Sequence, residues 1–382
     1  MTRKKTTRYV AIISWALISV YATPVTGQQA DDWRVSQEPV VQFGVAEGDP
    51  AYLFASIRTA RLLPDGHIVV ADAGAISIRV YDSNGEFQTE LGSEGEGPGE
   101  FLAIGNMRVA APDTIQVWDF FSQRITTFLA DGSLVGTQRI DPAPPDGPGG
   151  FLDLLAGVFS DGDIALGWTV GGRIAGDGER QVAPDRVVFG RFGPDGQLRH
   201  LLGEGEGLHR IQGSPDPFSP VPRGVVFRDS LYFMNGVGGR IAVFDSEREG
   251  VARVLEIPAP HVEVSEAWSA LNEALRVRGD ESVLERIPDP RLAHTPTFGG
   301  MLMDDQGLIW VKIYDPESDS VYMGHPPGPG GEWWVITPDG EVVAKVAMPE
   351  GLIPVHIKGD RLLGVARGEL DVESVVLHII GR

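Results

Sequence analysis

The sequence predicts an all-β fold of six repeated four-stranded antiparallel units set around a ring. Three observations predict it: a composition rich in turn formers, a strand-and-turn pattern recurring in register, and a spare strand at the start of the domain matched by a missing one at its end. The chain has 382 residues, 42% of them hydrophobic, with 49 Gly and 28 Pro. That is enough apolar material for a large core, divided by many tight connections.

Taken in order, residues 1–27 read as an export signal. Basic MTRKKTTR precedes the apolar stretch YVAIISWALISVYA and the small-residue run TPVTGQQADD, the signal-peptide pattern. The apolar part, about 14 residues, is short of the roughly 20 that span a bilayer. Cleavage is expected near Gly27, or at Ala30, leaving a secreted or periplasmic protein; an uncleaved anchor is the other reading. No later segment is long and apolar enough to span. The chain has no cysteine, which excludes disulfides, thiol catalysis and a lipoprotein anchor. The net charge of −21 becomes about −25 without Arg3, Lys4, Lys5 and Arg8. A surface that acidic repels nucleic acid and anionic membranes. The expected partners are instead a small molecule, a glycan or a protein ligand, bound by a monomer.

The repeats come next. VADAGAISIRVYDSNG (70–85), VWDFFSQRITTFLADG (117–132) and MNGVGGRIAVFDSEREG (234–250) each carry Asp or Asn, then Ile, then an aromatic residue in the same register. The sets are Asp72 with Ile78 and Tyr81, Asp119 with Ile125 and Phe128, and Asn235 with Ile241 and Phe244. A turn precedes each unit, as LPDG (63–66), APD (111–113), SDG (160–162), FRD (227–229), DDQG (304–307) and KGD (358–360). Each unit is therefore strand, turn, strand, loop, strand, turn, strand, and radial repetition of such units is the six-bladed β-propeller. The blades are expected at 51–91, 92–140, 149–202, 203–258, 291–348 and 351–382 of a single domain over 33–382. The last unit has room for only three strands, so the strand within 33–43 completes it and closes the ring.

The run LGSEGEGPGEF (91–101) has the glycines of a phosphate cradle, but three glutamates and a following strand instead of a helix. A phosphate loop needs the helix and usually a cation. The run reads as a blade-to-blade connector. Between blades four and five, residues 261–290 read as a small helical hairpin: Val264, Trp268, Leu271 and Leu275 recur at helical spacing, Ser265 is placed to cap and Gly279 to terminate.

GEGPGEF followed by strand and turn, and D-x4-R-I-x2-F within the blades, resemble NHL-type six-bladed β-propellers, above all the uncharacterised secreted bacterial proteins of that architecture. The resemblance covers about residues 33–382. It implies the propeller fold, and a superfamily that includes metal-dependent lactonases, a lyase and plain interaction modules. Fold alone does not choose among these.

Propeller topology puts the short turns on one face and the long loops, including 171–185 and 315–331, on the other, where binding is expected. Arg61, Arg108 and Arg223 stand seven or eight positions before the first apolar residue of a second strand. That spacing predicts one ring of arginines near the long-loop end, able to bind a carboxylate or sulfate unless nearby acids neutralise it. Lys312, where other blades have Asp or Asn, joins this candidate set. Asp72, Asp119 and Asn235 end their second strands on the long-loop face. Either they cap their own loops, or they offer oxygen ligands to Ca²⁺, which the lactonase resemblance would turn to ester or lactone hydrolysis. No cofactor is certain. The eight histidines of the expected mature chain show no HExxH or HxH spacing. The expected function is a ligand-binding or interaction module acting through the long-loop face; a Ca²⁺-dependent lactonase-like hydrolase and an acidic-polysaccharide binder or lyase are the alternatives.

Overall fold

Short strands alternate with glycine turns through most of the computed structural model, which describes residues 31–110, 113–141, 143, 149–171, 184–323, 327–368 and 372–382. The export signal and most of the loop 171–185 lie outside the described residues. Six four-stranded antiparallel sheets follow in chain order. Their innermost strands are Ile57–Leu62, Asn106–Val109, Phe151–Val158, Arg223–Phe227, Phe298–Met303 and Leu352–Lys358. Successive strands pair with their neighbours, as Leu62 opposite Ile68 and Ile68 opposite Tyr81 in blade one. Gly66 closes the first turn with φ of +95°, a conformation that costs a Cβ-bearing residue dearly.

Blade six supplies only three strands of its own, ending with Glu373–Gly381. Val41–Phe43 adds the fourth, with Val41 opposite Leu377 and Phe43 opposite Val375. Arg34–Val35 pairs the end of the same strand, and Asp31–Asp32 runs parallel to Ala344–Lys345 of blade five. Ring closure from the start of the domain is thus as expected, with the edge of blade five covered as well. This removes two sheet edges that would otherwise template aggregation.

The core is divided between the blades. Val69, Ile78 and Val80 of blade one meet Met107, Ile115 and Val117 of blade two, and Trp118 meets Trp168 and Phe192 across the next interface. Trp310 and Trp333 are fully buried against blade six, and Trp334 turns the other way against blade four. These tryptophans serve blade packing.

The helix Val264–Val277 buries Ala267, Leu271 and Leu275 over Phe218 and Tyr314 on the long-loop face, and one further turn follows at Glu281–Leu284. Ser265 lies inside the helix, whose N-cap is Glu263 with no side-chain cap, because the extended backbone ends two residues earlier than the sequence suggests. Gly279 does terminate it: with φ of +76° it donates to the Arg276 carbonyl while Asp280 donates to Leu275, a Schellman pairing. The connector 92–101 is held by Arg124, whose guanidinium donates to the Glu96 and Glu100 carbonyls.

Candidate functional site at the channel mouth

Each innermost strand starts at the long-loop face and ends at its first turn, so the pairing register gives the height of any residue along the channel. Arg61 lies opposite Val69 and Arg108 opposite Gln116, each one residue from the end of its strand. Arg223 opens its strand, opposite Met234. Two of the three arginines therefore share a height at the short-turn mouth, and the third sits at the opposite end. The expected single ring at the long-loop end is wrong for a simple reason. Five residues separate the paired ends Leu62 and Ile68, and five separate Val109 and Ile115, whereas in blade four Phe227 pairs Ser230 directly across Arg228 and Asp229. Counting through a shorter turn lands the residue two positions further back along the strand.

Arg61 and Arg108 line a cleft of about 530 Å³ with Pro64, Asp305, His356 and Lys358, from the turn ends of blades one, two, five and six. Arg61 donates to Thr59 Oγ1 at 2.6 Å and to the carbonyls of Ala60 and Val355 at 3.0 and 2.7 Å. Arg108 donates to Gln116 Oε1, and its Nε has no hydrogen-bond partner. Among the described residues neither arginine forms an ion pair, and neither does Lys358. Acids therefore do not neutralise this pair; Asp72 lies at the other end of its blade, opposite Ile57 and 3.9 Å from Arg79. Burial lowers the Arg61 guanidinium to about 10 and that of Arg108 to about 9. A cation so destabilised by lost hydration gains most from an anion.

His356 completes the set. Its Nδ1 accepts the Leu62 amide at 3.0 Å, so the ring proton sits on Nε2, a neutral donor on the cleft side. Burial, then Arg61 and Lys358, push its pKa down to about 3. Asp305, the one carboxylate among the described lining residues, accepts the Gly359 amide at 3.0 Å and is exposed at the rim. His356 and Lys358 escape sequence reading because they lie about 300 residues from Arg61. The signal that finds them is a basic residue within two positions of a first turn, shared by blades one, two and six.

Lys312 does not join the site. It is fully buried, and its Nζ donates to Asp319 Oδ1 at 2.8 Å, to Ser318 Oγ at 2.9 Å and to the Gly328 carbonyl at 3.1 Å. The reason is its direction: from the second strand of blade five it points into the fold of its own insertion, which closes over it.

Asp72, Asp119 and Asn235 stay in their own blades. Asp72 accepts amides from Ala55, Ser56, Gly74 and Ala75 between 2.8 and 3.2 Å. Asp119 accepts from Leu102, Phe121 and Ser122, and Asn235 from Val237. Each aspartate ties the loop after its strand to the crossing that enters its own blade, so its lone pairs are spent on backbone amides. Among the described residues no group of three His, Cys, Asp or Glu is arranged to hold a metal ion. These three residues do not fit a Ca²⁺ site. The long-loop face carries a separate cleft of about 480 Å³ between Ala274, Arg278, Met323 and Ile353.

Residues 51–146 match the protein family described as "6-bladed beta-propeller". No curated protein matches the chain by sequence. Among solved structures, a domain-of-unknown-function protein of Bacteroides vulgatus superposes with a TM-score of 0.58 at 11% identity, covering 92% of this chain and 99% of its own. A candidate exported protein of Bacteroides fragilis gives 0.49 at 10% identity over 92% and 96%. Virginiamycin B lyase of Staphylococcus aureus gives 0.43 at 12% identity over 90% and 88%. Identities this low speak to the fold alone. No described helix is long and apolar enough to cross a membrane.

Proposed function

We propose that this chain is an exported ligand-binding propeller that holds a small anionic ligand at the short-turn mouth of its central channel. One observation carries the reading: two half-buried guanidiniums, Arg61 and Arg108, line the same cleft without a carboxylate partner for either. Maintaining that arrangement costs stability unless an anion completes it. The planar forks suit a carboxylate, sulfate or phosphate. His356 Nε2 adds a donor that stays neutral at physiological pH, and Lys358 adds a mobile charge. The reading moves binding from the long-loop face to the opposite one. The hydrolase reading loses its support because Asp72 and Asp119 are committed to backbone amides.

Calorimetric titration with sulfate at low ionic strength tests this. Saturable binding is expected in the intact protein, with a loss of about tenfold or more on Arg108→Ala, the range for one charge-assisted contact. Sulfate affinity unchanged in the folded double variant Arg61→Ala, Arg108→Ala would refute it.

A further inference from the structure

The cleft at the short-turn mouth has an apolar side. Leu62, Pro64, Val109 and Ala110 wall it along blades one and two, where Arg61 and Arg108 are the only polar side chains among the described lining residues. Val109 is half-buried, packed against the core that holds Leu63 and Met107, and Pro64 is exposed on its turn. Size and donor supply both speak against an inorganic anion as the natural occupant. At about 530 Å³ the cleft is in the range of roughly 300–1,000 Å³ that encloses a drug-sized organic molecule, and a sulfate or phosphate fills a small part of it. All four oxygens of such an anion need donors, and those turned toward Pro64, Val109 and Ala110 lose their hydrogen bonds to water without replacement. A carboxylate has two oxygens, which the guanidinium forks satisfy, and the body behind it is free to be apolar where the wall is apolar.

We infer that the ligand is a small organic acid with an apolar body, its carboxylate on Arg61 and Arg108 and its body against Pro64, Val109 and Ala110. The inference rests on the anion-binding reading above and adds the chemistry of the rest of the molecule. Burying about 60 Å² of apolar surface is worth about tenfold in affinity, a gain that an inorganic anion has no means to reach. The walls also give selectivity. A polar body of the same size leaves its own donors and acceptors unpaired against Val109 and Ala110, which counts against it.

The test compares three probes by calorimetry on the intact protein: acetate, 2-naphthoate and 2-naphthylmethanol. They present the carboxylate alone, the carboxylate with an apolar body, and the apolar body alone. 2-Naphthoate is expected to bind about tenfold or more tightly than either. The double change Pro64→Ser, Val109→Thr should remove most of its advantage over acetate and leave sulfate affinity unchanged, which also reports that the variant is folded. Pro64→Ser alone, at an exposed residue, should shift the advantage in the same direction. The inference is overturned if 2-naphthoate has no advantage over acetate, or if 2-naphthylmethanol binds as tightly. It is also overturned if the folded double variant, or Pro64→Ser where the double does not fold, keeps the advantage intact. Where sulfate still binds and depends on Arg108, such a result removes the apolar acid alone. Where sulfate and all three probes fail to bind, the mouth itself is not an anion site and both readings fall.

Discussion

Lys312 Nζ stands 2.8 Å from Asp319 Oδ1, and both side chains are inaccessible to solvent. Asp319 also accepts amides from Asp315 and Gly328, at 2.9 and 2.7 Å. The pair therefore knots the insertion 315–331 onto the second strand of blade five. Burial, as the largest influence, raises the Asp319 carboxyl, and Lys312 opposes it.

Removing one partner strands a buried charge. Lys312→Met is expected to destabilise the protein by about 3–5 kcal/mol, whereas the double change Lys312→Met, Asp319→Leu should recover a large part of that loss. Urea unfolding of the two variants measures both. A single variant as stable as the parent would show that the pair contributes nothing.

Asp72 is expected to behave as a structural clamp. Asp72→Ala removes a buried carboxylate that four backbone amides share as acceptor and should cost about 2 kcal/mol or more. Adding Ca²⁺ after EDTA should leave the melting temperature of the intact protein unmoved, since a ligand at 100 times its Kd stabilises by about 2.7 kcal/mol. A saturable rise with Ca²⁺, lost in Asp119→Ala, would restore the metal-dependent hydrolase.

His356 predicts a pH dependence. Its pKa is about 3 in the folded chain against about 6.5 when unfolded, so between these values the unfolded state holds the extra proton. Stability is then full above pH 6.5 and is lost as pH falls toward 3, by up to about 1.4 kcal/mol per pH unit from this group. His356→Gln keeps an acceptor for the Leu62 amide without the titration. Its stability should fall less steeply over this window, as read by denaturant titration at pH 7, 5 and 4. Parallel curves for the variant and its parent would mean that His356 is not buried neutral.

The match between sequence and structure divides along a physical line. Strand alternation, PDG-type turns and the aromatic positions of each repeat are local, so the six blades could be read directly; so could the closing strand, because a blade with three strands leaves an edge that the spare segment at the start of the domain fills, through Val41–Phe43 and Arg34–Val35. Gly279 was legible for the same reason, as a positive-φ stop after an apolar stripe. Heights along the channel were not. Turn lengths of five residues in blades one and two and a tighter hairpin in blade four shift Arg223 relative to Arg61 and Arg108, and only hydrogen-bond register reveals such a shift.

The sequence by itself determined the class, the number of blades, the closure of the ring and the acidic character of the exterior, because each depends on local pattern or on a sum over residues. The tertiary structure alone decided which charges meet. It carried His356 and Lys358 across some 300 residues to Arg61, and it sent Lys312 into a buried pair with Asp319. It also spent Asp72 and Asp119 on backbone amides. Charges act through space over a few ångströms, and in a closed ring those distances are set by how six sheets pack around a common axis.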